Sequence, residues 1–220
     1  MVLVATFNAM ATTWNWDVLD KHLATDISLM TGASLPDVSS RHPDSQHWLS
    51  NYFLNSVLRA QYESPHREYA YTFLRRTMSA FEEYELARAK TEEFVDLRSA
   101  GAQPTRVYMS ALHHWEQCVA NAWQAVAAWM KLTAVRAFVS GHGEVSAEEK
   151  LNHIYNRSKH TDNAIAAGQM PERGPLAVWL TNNGLRSVEH LLTWAELVDV
   201  LDELAQAAEV LQDPELANET

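Results

Sequence analysis

Apolar residues recur at three- and four-residue steps along most of this chain, the spacing that keeps one face of an α-helix dry while the other meets water. The longest such run opens at Ser64-Pro65. Serine there caps free amides, and proline takes the first helical position without losing a needed donor. Tyr69, Phe73, Met78, Phe81, Tyr84 and Phe94 then hold near-helical spacing out to Leu97, while Glu82, Glu83, Glu85, Arg88, Lys90, Glu92 and Glu93 supply a charged outer face. Ala100-Gly101-Ala102 and Pro104 end this segment. Leu112, Trp115, Val119, Trp123, Val126 and Met130 predict a central core helix of about thirty residues, with alanines between them that permit close approach of a neighbour. Gly141-His142-Gly143 is expected to close it.

Shorter signals complete the pattern. Asp44 precedes a helical stretch through Arg59 that carries Trp48, Tyr52, Phe53 and Val57. Ser146 and Glu149 make a capping box for a helix running to about residue 166. Thr193 caps a last helix on which Leu197, Leu201, Leu204, Ala208 and Leu211 align. Between 168 and 184, Pro171, Gly174, Pro175 and Asn182-Asn183-Gly184 surround an apolar run too short for a helix, so an extended excursion or small hairpin is expected near 176–184. Residues 1–43 show only a loose period and read as an irregular leader packed on the body. The expected architecture is all-α: an up-and-down bundle of four to five helices over 44–212, followed by a polar tail at 213–220.

Composition narrows the setting. A chain of 220 residues with 47% hydrophobic content suits one domain with a sizeable core. Cys118 is the single cysteine, so no intrachain disulfide can form, and a reducing cytoplasm is the expected location. Residues 1–11 lack the basic leader and long apolar run of a secretory signal and read as a mature N-terminus. No stretch approaches the roughly 18 uninterrupted apolar residues of a membrane span; Gln124, Lys131 and Arg136 interrupt even the most hydrophobic helix. A formal charge of -11 repels polyanions, which argues against DNA and leaves RNA or a nucleotide only a local basic patch. No Gly-x-Ser-x-Gly elbow, phosphate-cradling glycine loop or Gly-x-Gly-x-x-Gly is present, and no cofactor is expected.

Polar chemistry concentrates on the helix opened by Ser146. Ala147, Leu151, Ile154, Ser158 and Ile165 share the flank expected to face the core, while Asn152, Asn156, Lys159 and Asn163 share another. His153 and His160 stand seven residues apart on one side, with Asn156 beside both. The bland interpretation is a solvated polar face. Zinc is disfavoured, because two turns of helix set these histidines roughly 10 Å apart. His114 and Cys118 share a helical face, yet two ligands make no site. No metal is expected. Trp179, on the short excursion, suits either a ligand contact or burial over the core.

The segment Leu151-Asn152-His153-Ile154-Tyr155-Asn156-Arg157-Ser158-Lys159-His160 resembles the start of the last bundle helix in the HEPN superfamily of helical domains, many of which are ribonucleases in defence or toxin systems. The motif in that superfamily is an arginine, usually followed by asparagine, aspartate or histidine, with a histidine four to six residues beyond the arginine. Asn156 and His160 match; Tyr155 stands where the arginine belongs. The resemblance implies His160 and Asn156 as catalytic residues, with Tyr155, Lys159, Asn152 and His153 assisting in binding and Glu116 on the central helix as an acidic partner. Tyrosine donates one hydrogen bond but brings no positive charge to a phosphoryl oxygen. Three functions therefore stay open. The first is a HEPN-like binding or regulatory module without nuclease chemistry, able to form a homodimer along the motif helix. The second is a metal-independent endoribonuclease or toxin using His160, and the third a structural helical adaptor.

Overall fold

The computed structural model describes residues 14–59, 61–135 and 145–215. Seven α-helices and one small sheet are found among them. In chain order they are α1 (Trp16–His22), α2 (Trp48–Leu58), α3 (His66–Ser99), α4 (Thr105–Thr133), α5 (Ala147–Lys159), α6 (Thr161–Ala166), strands β1 (Trp179–Thr181), β2 (Gly184–Arg186) and β3 (Leu191–Thr193), and α7 (Trp194–Leu211). The chain is thus mostly helical, as its periodicity predicts. The three strands form an antiparallel meander of order β1-β2-β3, so the expected excursion near 176–184 extends one strand further than the apolar run alone suggests.

The core is built on the α3–α4 hairpin. At 1.5 Å per residue α3 is about 50 Å long, and the short loop 100–104 returns α4 along its side. Ala111, Ala122 and Ala125 are fully buried, which lets the two backbones approach. Trp115 lies at the centre: its indole N–H donates to Thr91 Oγ1 at 2.9 Å, and Tyr84 meets the ring edge-on at 5.2 Å between centroids. Leu151 and Ile154 of α5, and Leu197, Leu201, Leu204 and Ala208 of α7, close over this hairpin. Trp48 and Tyr52 seat α2 against α3. Asn51, Asn55 and Arg59 tie it to the far end of α7 through Gln212 and Asp213.

From residue 14 on, the leader carries more regular structure than its weak period predicts, while residues 1–13 lie outside the described residues. Asn15 caps α1, a helix of seven residues, too short for periodicity to reveal. The Arg98 guanidinium at the end of α3 donates to the carbonyls of Ile27 (2.6 Å), Met30 (3.0 Å) and Ser28, and lies 4.3 Å above the Trp16 ring. Ile27, Met30 and Val38 are buried beneath. The sheet joins the same side: Asn182 Oδ1 accepts from the amides of Thr31 and Gly32, and the Leu180 amide donates to Tyr108 Oη at 3.0 Å. Across the meander Leu180, Leu185 and Leu192 are aligned and buried.

Two helix ends differ from expectation. The central helix stops at Thr133, where Ala134 turns into the left-handed region (φ 57°); Gly141, His142 and Gly143 lie outside the described residues. The helix expected to reach about 166 breaks at His160 into α5 and α6, and the break turns Ile165, expected on the core-facing flank, out to 61% exposure. The Thr161 hydroxyl donates back to the carbonyls of Ser158 (3.0 Å) and Arg157 (3.3 Å), satisfying the end of one helix as the next begins. Among the described residues no helix is long and apolar enough to cross a membrane.

Candidate functional site

Helix α5 is positioned at both ends by its own sequence. Ser146 Oγ accepts from the Glu149 amide at 3.2 Å, and Lys150 pairs with Glu196 in the first turn of α7. Glu196 completes the Thr193 capping box, so the start of α7 and the side of α5 are locked to one another. Leu151 and Ile154 then fix the rotation of α5 about its axis by burial. The remaining side chains fall on three flanks.

The flank toward the sheet holds His153 and Arg157. The His153 ring stacks on His190 of the β2–β3 turn, with centroids 4.1 Å apart and planes 20° from parallel. Glu149 lies 3.9 Å from His153. Partial burial and the neighbouring His153 hold the His190 pKa below the usual histidine value. Arg157, largely shielded, donates to Glu189 Oε2 at 2.7 Å and Gln169 Oε1 at 2.6 Å. That bond to Arg157 holds the Glu189 carboxyl below the ordinary glutamate range.

The flank toward α4 carries Ser158, whose hydroxyl donates to Glu116 Oε1 at 2.7 Å. Burial raises the Glu116 pKa, against the opposing effects of Ser158 and His113. Glu116 is therefore brought to α5, as the resemblance implies for an acidic partner, and the group it meets is Ser158.

The third flank holds the residues matched to the motif. Tyr155 packs at the edge of the core with the Lys159 ammonium 5.3 Å from its ring centre. Arg76 of α3 lies within electrostatic reach of the Tyr155 hydroxyl and donates to Asn121 Oδ1 of α4 at 2.9 Å. Asn156 is exposed and donates to Asn152 Oδ1 at 2.8 Å. His160 is exposed at the α5–α6 break, its backbone (φ -117°, ψ 48°) no longer helical, so its side chain leaves the line that a continuous helix would give it beyond Asn156.

The site therefore gathers Tyr155, Lys159, Asn152 and Asn156 on one flank, His153 on another and Glu116 beneath a third. Sequence spacing missed His190, Glu189, Gln169 and Arg76, all from other elements. Arg157, two positions and about 200° around the helix from Tyr155, finds its partners in the turn after β2 and in residue 169. His114, seen as a partner for Cys118, instead meets Glu83 of α3 at 2.8 Å, and Cys118 is fully buried with its thiol pKa raised by that burial. Trp179 is buried, its indole N–H directed at Asp26. Among the described residues no group of three or more histidine, cysteine or acidic side chains is disposed to hold a metal ion.

A hollow of different character lies between α2 and the first half of α3. It encloses about 1000 Å³ and is lined mostly by apolar side chains, including Phe53, Val57, Tyr71 and Met78. No family model, curated protein or solved structure matches this chain.

Proposed function

We propose that this chain is a HEPN-like helical bundle acting as a non-catalytic binding or regulatory module in the cytoplasm. The supporting observation is how the polar groups of α5 are spent. His153 stacks on His190, Arg157 is bound by Glu189 and Gln169, Ser158 is bound to Glu116, and Asn152 is bound to Asn156. These contacts hold α5 to the sheet and to α4. His160, the candidate acid or base, stands exposed at the helix break, where its backbone N–H bonds the Asn156 carbonyl at 2.9 Å and its side chain makes no hydrogen bond among the described residues. A general acid must reach the proton it transfers within hydrogen-bond distance and be held there by its neighbours.

What this face offers is recognition of an anion. The Tyr155 hydroxyl, the Lys159 ammonium 5.3 Å from its ring centre and the Arg76 guanidinium of α3 are donors that suit a phosphate or carboxylate oxygen even without cleavage chemistry. An RNA segment or a nucleotide is the ligand class proposed for it, engaged through a local positive spot on a chain that is acidic overall.

The deciding experiment incubates purified protein with a mixed-sequence RNA, beside His160→Ala and Glu116→Gln. A module leaves the RNA intact in all three samples. Cleavage by the natural chain that disappears in His160→Ala would establish the endoribonuclease instead. Fluorescence anisotropy with a labelled RNA then reads binding: Arg76→Glu is expected to weaken it, and equal binding by both proteins removes Tyr155 and its cations from the site.

A further inference from the structure

Helix α2 is apolar on both of its sides. Trp48 and Tyr52 are buried against α3, while Phe53, Leu54, Val57 and Leu58 on the opposite side are 65%, 52%, 63% and 76% exposed. A surface helix ordinarily keeps its apolar residues on one side, so a second apolar side calls for a cover of its own. Tyr71 of α3, 48% exposed, continues the apolar surface across the neighbouring hollow. Together these five side chains leave on the order of 600 Å² of apolar surface uncovered, the upper end of what a monomer shows.

We infer that this face is covered by a second copy of the same chain, packed about a two-fold axis along α2. Three features select a copy of itself as the occupant. Leu58, 76% exposed, forms a ridge at the outer edge of α2 beside an apolar hollow of about 1000 Å³ whose walls include Phe53 and Val57, and a two-fold contact requires one surface to supply both shapes. A second, smaller hollow of about 340 Å³ borders the other edge of α2, at Leu54, Asn55 and Gln212, so the ridge has a groove on each flank.

Charge gives the second argument. The chain bears -11 overall, so two copies repel across most of their surface. The lining of the large hollow is locally neutral: its charged members are Arg67 and Glu68, one of each sign, 2.8 Å apart. Identical chains can approach here without a like-charge penalty, and across a two-fold axis Arg67 of each copy can meet Glu68 of the other.

Area gives the third. The five exposed apolar side chains supply on the order of 600 Å² by themselves, and the polar rim of the hollow, Ser50, Gln61, Arg67, Glu68 and Thr72, carries the face toward the ~800 Å² per partner of a standard stable interface. The inference does not depend on what α5 binds.

Sedimentation equilibrium on the full chain from ~1 to ~100 µM tests it, a range that separates strong from weak association. The natural protein is expected as a dimer. Leu58→Lys and Tyr71→Lys lie on α2 and α3, so the fold can tolerate one if not the other. Each alters the contact twice by symmetry and is expected to raise the dimer dissociation constant on the order of 100-fold, with helical circular dichroism unchanged. Leu86→Glu, an exposed leucine elsewhere on α3, is expected to leave the dimer intact. A natural chain that is monomeric throughout overturns the inference. So does a dimer that survives both lysine variants, or one lost in Leu86→Glu.

Discussion

Thr91→Val isolates one hydrogen bond at the centre of the α3–α4 hairpin. Thr91 is fully buried; its hydroxyl donates to the Ala87 carbonyl at 2.8 Å and accepts from the Trp115 indole N–H at 2.9 Å. Valine has nearly the same shape, so no cavity opens, and the small gain from burying a methyl in place of a hydroxyl is measured separately by Thr77→Val. The Ala87 carbonyl loses little, since it remains within the helical hydrogen-bond ladder. The indole N–H has no such reserve, because Trp115 is fully buried between Tyr84 and Trp194. Leaving a buried donor unmet costs about 1–3 kcal/mol. For a chain of this size that corresponds to a fall in Tm of roughly 2–10 °C. The assay is urea unfolding followed by far-ultraviolet circular dichroism, in which the midpoint should fall while the m-value stays constant. The same substitution made in a Trp115→Phe background, where no N–H remains to be orphaned, should cost less than ~0.5 kcal/mol. Thr77→Val supplies the contrast: Thr77 is equally buried on α3, yet its hydroxyl meets no partner among the described residues, so the change should be neutral or stabilising. A Thr91→Val protein as stable as the parent, or one losing equally in both backgrounds, would refute the assigned register of α3 against α4.

Two further outcomes are expected. His190 has its pKa held below the usual 6.5 by burial and by His153, so on acidification the unfolded chain takes up this proton first; stability present above pH 6.5 is lost as pH falls from there toward the folded value. His190→Gln should flatten that segment of the stability curve and spare the loss below the ordinary glutamate pKa of 4.5 that Glu189 contributes; an unchanged slope between pH 7 and 5 refutes the assignment. Gly184→Ala would place a Cβ 2.0 Å from the Leu192 carbonyl oxygen, so β2 and β3 must separate, at a cost of about 2 kcal/mol or more. Hydrogen exchange should report it as lost protection of the Ser187 amide, which donates across the turn to His190, and retained protection there would count against the sheet as described.

The sequence by itself determined the local architecture. Phe73, Tyr84 and Phe94 on α3, and Trp115, Val119 and Val126 on α4, place both long helices, because helical periodicity is a relation between residues a few positions apart. The Thr193 capping box and the Ser146 cap are legible for the same reason: donor and acceptor lie three residues from one another. Tertiary structure alone decided the partners. His153 meets His190, Arg157 meets Glu189, and Arg76 approaches Tyr155 only because the sheet and α3 are folded against α5, and a helical wheel records angles about one axis without saying what lies opposite. The break at His160 belongs between these cases: the Thr161 hydroxyl that ends α5 is local, but apolar spacing does not register a side chain competing with the backbone for its own carbonyls. The outward face of α2 was likewise visible only after folding. Its apolar residues predict a helix, while which of them are buried depends on α3 and α7, and that choice left Phe53, Leu54, Val57 and Leu58 facing out.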